Sequence, residues 1–192
     1  MEFLHAIIVL FNFVIIPGIT YGSQLALGAL GVTLVYGILR FSNFAHGDTM
    51  AFGTMVAILF TWWFQSIGVS IAPLPTALLA LPIAIVLTAL LLLGTDRVVL
   101  RFYRKQKSAP VILLIVSLGI MFVYNGLVRF IIGVGDQRFS DGSRFIISAR
   151  DFKKLTGLDE GLAIKTTQVI TVITAVMVVA LLFWFLNRTR TG

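Results

Sequence analysis

Long stretches without any charged side chain divide this sequence into apolar runs. A helix needs about 20 mostly apolar residues to cross the hydrocarbon core of a membrane, where its backbone N–H and C=O groups must pair within the helix. The runs without Asp, Glu, Lys or Arg are 3–39, 49–95, 108–128 and 166–187. The first run is long enough for one span with an apolar lead-in, the second for two spans, and the others for one each. The pattern therefore predicts five membrane-spanning helices.

Prolines, glycines and charged residues set the expected ends of these helices. Pro17-Gly18 is expected to interrupt the first helix, and Pro82 is expected to kink or locally unwind the third. The predicted spans are 19–39, 44–66, 76–96, 110–131 and 166–187, with an external loop at 133–165. The fold class is therefore an all-α integral membrane protein, a polytopic helical bundle, with residues 1–192 forming one transmembrane domain.

The external loop carries signals for local structure. Asp141-Gly142 lies between short alternating stretches and predicts a two-residue hairpin turn. Ser148 precedes Asp151 by three residues and Gly157 follows, which predicts a short surface helix that begins with a capping box. The loop is either a solvated connection or a docking surface for a partner outside the membrane, and the sequence leaves both interpretations open.

Composition agrees with a membrane protein and excludes several chemistries. The chain is 58% hydrophobic and 12% charged, whereas a soluble domain has roughly 25% charged residues. It has no cysteine, so disulfides and thiolate metal sites are excluded. His5 and His46 are too far apart for an H-E-x-x-H zinc helix, and no G-x-x-x-x-G-K-S/T phosphate loop occurs. We therefore expect no enzyme activity, no metal and no cofactor, and any ATP-driven step would need another chain.

The net charge of +7 is better explained by membrane topology than by nucleic-acid binding, because lysine and arginine concentrate on the cytoplasmic side of membrane proteins. If every predicted span crosses, one side carries Arg40, Arg97, Arg101, Arg104, Lys105, Lys107, Arg188 and Arg190. The opposite side carries Arg129, Arg138, Arg144, Arg150, Lys153, Lys154 and Lys165, mixed with acidic residues in the external loop. This distribution predicts an external N-terminus and a cytoplasmic C-terminus.

Polar residues gather between the first two predicted spans, in the stretch RFSNFAHGD at 40–48. Asn43 can cap the first turn of the second span, and Asp48 lies near a helix N-terminus, where a negative charge is favourable. Asn43, His46 and Gly47 share one helix face, with Asp48 rotated away, and Gly47 lets another helix approach closely. The stretch is either a capped, tightly packed helix start or a polar gate.

Other candidates lie along the predicted spans. The threonines of the last span share a face, which indicates either packing or a mildly polar stripe along a pore. The candidate residues for a substrate path or gate are Asn43, His46, Gly47, Asp48, Asn125, Thr167, Thr171 and Thr174. The candidates for helix packing are Gly18, Gly22, Ala26, Gly28 and Gly31. Asn125 is expected beside Arg129, one turn away. No carboxylate is expected in mid-span, which argues against a secondary transporter.

Two long segments carry a resemblance to a known family. GITYGSQLALGALGVTLVYGILRFSNFAHGD is similar to the first span and the N-F-A-H-G motif of the branched-chain amino acid ABC transporter permeases, of the H-subunit type. DRVVLRFYRKQKSAPVILLIVSLGIMF is similar to their basic cytoplasmic segment and fourth helix. The motif is shared with urea-type and neutral amino acid permeases. Asp48 stands where the family commonly has glutamate.

The resemblance implies a subunit of a binding-protein-dependent importer for branched-chain or other hydrophobic amino acids in the bacterial cytoplasmic (inner) membrane. It implies a second permease subunit, cytoplasmic ATPase subunits and a periplasmic substrate-binding protein as partners besides membrane lipid, and no nucleic acid. The chain corresponds to roughly the first two-thirds of such a permease, so a C-terminal third with the ATPase-coupling loop is expected to follow. The alternatives are an importer of urea or other amides or amino acids, a secondary transporter or channel, and a membrane scaffold.

Overall fold

The computed structural model describes residues 2–69, 75–137, 145–156 and 161–188, most of them helical. The helical elements are α1 (Glu2–Leu10), π1 (Phe11–Ile15), α2 (Ile16–Leu39), α3 (His46–Ser66), α4 (Ala77–Thr95), π2 (Asp96–Leu100), α5 (Arg101–Lys105), α6 (Pro110–Ile132), α7 (Ala149–Thr156) and α8 (Thr166–Arg188). Two short strands, β1 (Phe145–Ile147) and β2 (Ile164–Lys165), pair antiparallel. The chain divides into two compact units, Met1–Gly31 with Gly142–Gly192, and Val32–Asp141.

The predicted fold class, an all-α polytopic membrane protein, is confirmed. Within the described ranges, four helical stretches are long and apolar enough to cross a membrane: His5–Ile38, Ala77–Lys105, Pro110–Ile132 and Thr166–Arg188. Each is hydrophobic and largely exposed on its surface, as expected of helices that face lipid instead of a protein core. The molecule is therefore a multi-pass membrane protein.

The interruption predicted at Pro17-Gly18 does not occur there, and the first span does not begin at residue 19. Helical structure continues from α1 through π1 into α2, and the apolar lead-in and first span form one stretch of 34 residues. Proline lacks a backbone N–H and crowds the carbonyl group four residues earlier. The π turn lies just before Pro17, and the Ile16 N–H bonds to the Phe11 carbonyl, five residues back. This wider turn allows the helix to continue past the proline.

The third predicted span also continues further than expected. The α-helical structure of α4 is not interrupted at Pro82, so the local unwinding expected there is absent. The basic segment that was expected to follow the span instead extends it, through π2 and α5 to Lys105. Pro82 is the sixth residue of α4. The backbone bond that it cannot donate would therefore end in the first turn, where its loss disturbs little of the helix.

The second predicted span forms as α3, but α3 is not one of the four stretches that are apolar enough by composition. It has 21 residues, a length of roughly 31 Å at the usual rise per residue. Its polar residues include Thr49 and Thr61, both buried. Since α3 packs against both α4 and α6, part of its surface is covered by protein instead of lipid. Five spans therefore remain a prediction.

The helices of the Val32–Asp141 unit meet along small side chains. Near the start of α3, Ala45 shares a hydrophobic cluster with Leu100 of π2. Further along α3, Gly53 approaches Thr88 so closely that a side chain on Gly53 would begin 3.0 Å from the Thr88 hydroxyl oxygen. As the residue numbers rise along α3 they fall along α4, so these two helices are antiparallel.

The segment 133–165, predicted to be an external loop, is only partly as predicted. The short helix expected after Ser148 is confirmed as α7, and the Arg150 backbone N–H donates to the Ser148 hydroxyl oxygen at 3.2 Å. The turn at Asp141-Gly142 lies outside the described residues. The strand β1 pairs with β2 at the start of α8, with Phe145 opposite Lys165. This pairing joins residues about twenty positions apart and ties the segment to α8.

Candidate functional site

A short non-helical segment, residues 40–45, separates α2 from α3. It begins at Arg40, which has a φ of 57° in the left-handed region. Phe41 and Ala45 are 3% and 2% exposed and pack in one cluster with Ile120 and Tyr124 of α6. The two buried apolar side chains fix the segment against α6 at both of its ends.

Two backbone N–H groups of this segment bond to side chains. The Phe44 N–H donates to the Ser117 hydroxyl oxygen of α6 at 3.2 Å, and that hydroxyl donates to the Leu114 carbonyl at 2.7 Å. The Ala45 N–H donates to the Asn43 side-chain oxygen at 3.1 Å. Non-helical backbone is tolerated at membrane depth only where protein or water satisfies it, and Ser117 and Asn43 meet that requirement here.

Asn43 does not cap the helix in the way the sequence predicted. The residue at the N-cap position of α3 is Ala45, which makes no capping bond through its side chain. The Asn43 side chain instead binds the N–H of Ala45 itself, and the Asn43 carbonyl accepts from the His46 N–H at 3.3 Å. Asn43 therefore orders the turn that leads into α3.

Asp48 and Asn125 connect α3 to α6 through a hydrogen bond. The Asn125 side-chain amide donates to the Asp48 carboxylate at 2.9 Å, and both residues are half-buried. The sequence had paired Asn125 with Arg129, but Arg129 is exposed and Asn125 reaches the other helix. From the bond between Phe44 and Ser117 to this contact, the residue numbers rise along both helices, so α3 and α6 are parallel. We call Asp48, Asn125, Ser117 and the 40–45 segment the polar junction.

The polar junction lies well inside the length of α6. Asn125 is the sixteenth of 23 residues in α6, about 22 Å from its first residue and about 10 Å from its last. Asp48 is thus level with the second half of α6, although it lies in the first turn of its own helix. The start of α3 is also level with Leu100 of π2, because Ala45 and Leu100 belong to one hydrophobic cluster. The expectation that no carboxylate lies in mid-span stays a prediction.

Among the described contacts, the other predicted path residues reach the junction only through the His46 N–H, which bonds to the Asn43 carbonyl. His46 is half-buried, and Gly47 is exposed with no neighbouring atom within 4 Å of the place where a side chain would begin. In the other compact unit, the Thr171 hydroxyl donates to the Thr167 carbonyl at 2.8 Å, whereas Thr174 is exposed. This bond from Thr171 back to its own helix is the kind that the packing interpretation describes.

The predicted packing face of the first span has no partner within its own compact unit as described. Gly18, Gly22 and Ala26 are exposed, and Gly28 and Gly31 are half-buried. No described atom lies within 4 Å of the place where a side chain on Gly18 or Gly22 would begin. Packing at these positions remains a prediction.

Two polar contacts were missed by the sequence interpretation. The hydroxyl groups of Thr95 and Tyr124 lie 2.5 Å apart and join α4 to α6 beside the junction. In the other compact unit, the Asn12 amide donates to the Gly161 carbonyl at 2.6 Å and its oxygen accepts from the Ala163 N–H at 3.0 Å. For Asn12 the available signal was a single polar residue within an apolar run, a pattern that commonly marks a tertiary hydrogen bond.

Replacing Ser117 with alanine is expected to destabilise the junction by about 0.5–1.5 kcal/mol, because the partly buried hydrogen bond from the Phe44 N–H to the Ser117 hydroxyl is lost. Ser117 itself has 0% exposure. The measurement is the free energy of unfolding of the purified chain in detergent. Ser23→Ala is the matched control, since the Ser23 hydroxyl makes a solvent-exposed bond to the Ile19 carbonyl of its own helix. Equal destabilisation by both changes would contradict the role given to Ser117.

Metal binding has no support in the described ranges, because no group of three or more His, Asp or Glu side chains there could hold an ion. What the helices and the junction define is a polytopic α-helical membrane protein with a hydrogen-bonded polar site between its helices. The model of the family described as branched-chain amino acid transport system / permease component matches residues 14–192. The chain belongs to this family, and the resemblance seen in the sequence is confirmed.

Individual relatives agree with this assignment. Over 87 residues the chain is 34% identical to the high-affinity branched-chain amino acid transport system permease protein BraD of Pseudomonas aeruginosa, covering 45% of this chain and 28% of that protein. Over 68 residues it is 37% identical to the permease protein LivH of Escherichia coli and to LivH of Salmonella typhimurium, covering 35% of this chain and 20% of each relative. The matched part is thus under a third of these relatives. No solved structure matches the chain.

Proposed function

We propose that this chain is a transmembrane permease subunit of a binding-protein-dependent ABC importer for branched-chain and other hydrophobic amino acids. The family match over residues 14–192 carries the proposal. The importer would lie in the bacterial inner membrane and pair this chain with a second permease subunit. ATP would be hydrolysed by separate cytoplasmic subunits, in line with the lack of a phosphate-binding loop in the sequence.

The polar junction is the proposed contact with the charged end of the substrate. An amino acid in transit carries an ammonium and a carboxylate group, and both need partners in a low-dielectric path. The Asp48 carboxylate can accept from the ammonium group, and the Asn125 amide can donate to the carboxylate once its bond to Asp48 opens. The surrounding helices are apolar, which suits an aliphatic side chain. His46, which directly follows the 40–45 segment, is proposed as part of the gate.

Transport would then follow from relative movement of the two permease subunits around a path near the bilayer midplane, as in other alternating-access transporters. The external segment with α7 would receive the loaded binding protein. Its exposed residues Arg150, Lys153 and Lys154 give that surface a positive charge. Substrate choice would lie largely with the binding protein, so related importers of urea or other amides remain alternatives.

A secondary transporter is the second candidate, because Asp48 supplies a half-buried carboxylate that bonds to another helix. Intramembrane carboxylates carry coupling ions in many such transporters. The two candidates differ in their energy source, which makes them separable by one experiment.

The test is uptake of labelled leucine into membrane vesicles that contain the permease with its ATPase subunits and second permease subunit. We expect uptake only when ATP and the binding protein are both present, and we expect His46→Ala to lower uptake without lowering the yield of assembled complex. Uptake driven by a proton gradient without ATP would favour the secondary transporter. If His46→Ala lowers uptake and assembly equally, His46 acts in packing and not as part of the gate.

A further inference from the structure

The helical extension beyond the third span carries a concentrated positive charge. Between positions 97 and 107 there are five basic residues: Arg97, Arg101, Arg104, Lys105 and Lys107. Asp96 is the only acidic residue between Thr49 and Gly135. All five basic residues except Arg104 are exposed. The charge lies on π2, α5 and the turn that follows, directly continuous with the apolar helix α4.

The single acidic residue neutralises one of these cations. Arg104 donates to the Asp96 carboxylate at 2.5 Å, eight residues back along the helix. Among the described residues, no acidic side chain forms an ion pair with Arg97, Arg101 or Lys105. We call these three residues the basic stripe. Its charge is available to a partner outside the chain.

The π turn aligns the basic stripe. Eight residues along a regular α-helix leave the first and last side chains about 80° apart around the axis. Because a π turn contains more residues than an α turn, π2 reduces that angle between Arg97 and Lys105. Arg101 lies between them along the same side. The three charges therefore point in one direction along the helix.

Apolar side chains accompany the stripe at the same level. Val98 and Phe102 are 77% and 56% exposed, each adjacent in sequence to a stripe residue. Exposed aromatic and aliphatic groups interleaved with arginine and lysine are typical of the boundary between acyl chains and headgroups, where long basic side chains extend toward the polar region. A water-soluble partner would not provide an apolar environment for Val98 and Phe102.

The turn that ends the helical extension contains a lysine in a strained backbone conformation. Lys107 has a φ of 54°, and the Ser108 N–H bonds back to the Tyr103 carbonyl at 3.2 Å. This is the helix-ending position at which glycine is strongly favoured, since a side chain there is strained. A lysine at this place adds a fourth exposed cation next to the stripe.

We propose that the basic stripe is a binding site for the headgroup of an anionic phospholipid. The lipid phosphate would lie between Arg97, Arg101 and Lys105, with Val98 and Phe102 against its acyl chains. Clusters of basic residues next to a membrane span attract anionic headgroups in this way. The proposed lipid site uses different side chains from the polar junction, although Leu100, between Arg97 and Arg101, packs in one cluster with Phe41 and Ala45 of that junction.

The test measures binding of single lipid molecules to the purified full chain in detergent by native mass spectrometry, with phosphatidylglycerol and phosphatidylcholine as probes. We expect the triple change Arg97→Gln, Arg101→Gln, Lys105→Gln to weaken phosphatidylglycerol binding about a hundredfold, at roughly 1 kcal/mol for each basic residue. Binding of phosphatidylcholine should not change. Added salt should weaken phosphatidylglycerol binding to the unaltered chain.

Two further variants make the result independent of net charge and of folding. Arg150→Gln, Lys153→Gln, Lys154→Gln removes the same charge from α7 and should leave phosphatidylglycerol affinity nearly unchanged. Asp96→Asn frees Arg104 and should strengthen phosphatidylglycerol binding about fivefold, a gain that a misfolded chain would not produce. Equal weakening by the two triple variants would overturn the proposal. A stripe variant that keeps its phosphatidylglycerol affinity but no longer co-purifies with the ATPase subunits would assign the stripe to protein docking instead.

Discussion

Replacing Asp48 with alanine is expected to reduce leucine uptake to background and to destabilise the chain by about 1.5–3 kcal/mol. The change removes the acceptor for the Asn125 amide, and hydrogen bonds to charged groups contribute about that much to stability. Asp48→Asn separates the two effects, because an asparagine keeps a side-chain oxygen that can accept from Asn125 but has no charge. We expect it to keep stability within about 0.5 kcal/mol and to lower uptake by at least about tenfold.

Two measurements make this prediction specific. Uptake in vesicles reports on transport, and denaturant unfolding in detergent reports on stability. Asp136→Asn is the matched control, since Asp136 is exposed and lies beyond the end of α6. It should change neither quantity. A double-mutant cycle with Asn125→Ala should give a coupling energy of about 0.5–3 kcal/mol. If Asp48→Asn transports as well as the unaltered chain, the carboxylate is not the partner of the substrate ammonium group.

Gly161→Ala is expected to destabilise the packing of Gly161 against α7 by about 1–3 kcal/mol or more, because overpacking of close contacts has costs of this size. A side chain on Gly161 would begin 2.5 Å from the Ala149 carbonyl oxygen and 2.7 Å from the Ala149 β-carbon. The backbone would have to move, and the Gly161 carbonyl would move away from the Asn12 amide. Faster proteolysis within α7 and a lower free energy of unfolding are the expected readouts.

Controls distinguish this steric effect from a general effect of glycine replacement. Gly126→Ala is the matched change, because Gly126 is in α6 with no atom within 4 Å of the added carbon. It should stabilise the helix by about 0.5–1 kcal/mol. Ala149→Gly should not rescue Gly161→Ala, since the clashing carbonyl oxygen belongs to the backbone. Rescue by Ala149→Gly would contradict the backbone origin of the clash.

The helices could be predicted from the sequence because each long apolar run has only one way to satisfy its backbone in a membrane. The predicted interruptions of the helices were less accurate, because helical structure continues through both Pro17 and Pro82. A proline predicts a local break in the helix, but a neighbouring π turn or a position close to the start of the helix lets helical structure continue. Such compensation depends on backbone geometry that composition does not reveal.

The candidate site was predicted only in parts. Asp48 and Asn125 were both named, but spacing along the chain pairs Asn125 with Arg129, one turn away. Its actual partner is 77 residues distant. Ser117 had no distinguishing sequence signal beyond being polar in an apolar helix.

The two hydrogen bonds of the Asn12 side chain have a consequence for the synthesis of the protein. The carbonyl that accepts from its amide is 149 positions further along the chain. At about 5–20 residues per second, a ribosome needs roughly 7 to 30 s to reach that point. Throughout this interval the nascent first helix holds a polar amide without its native partner, so water, a headgroup or the insertion machinery must satisfy it. The earliest helix to be made can therefore reach its final place only after Gly161 has been translated.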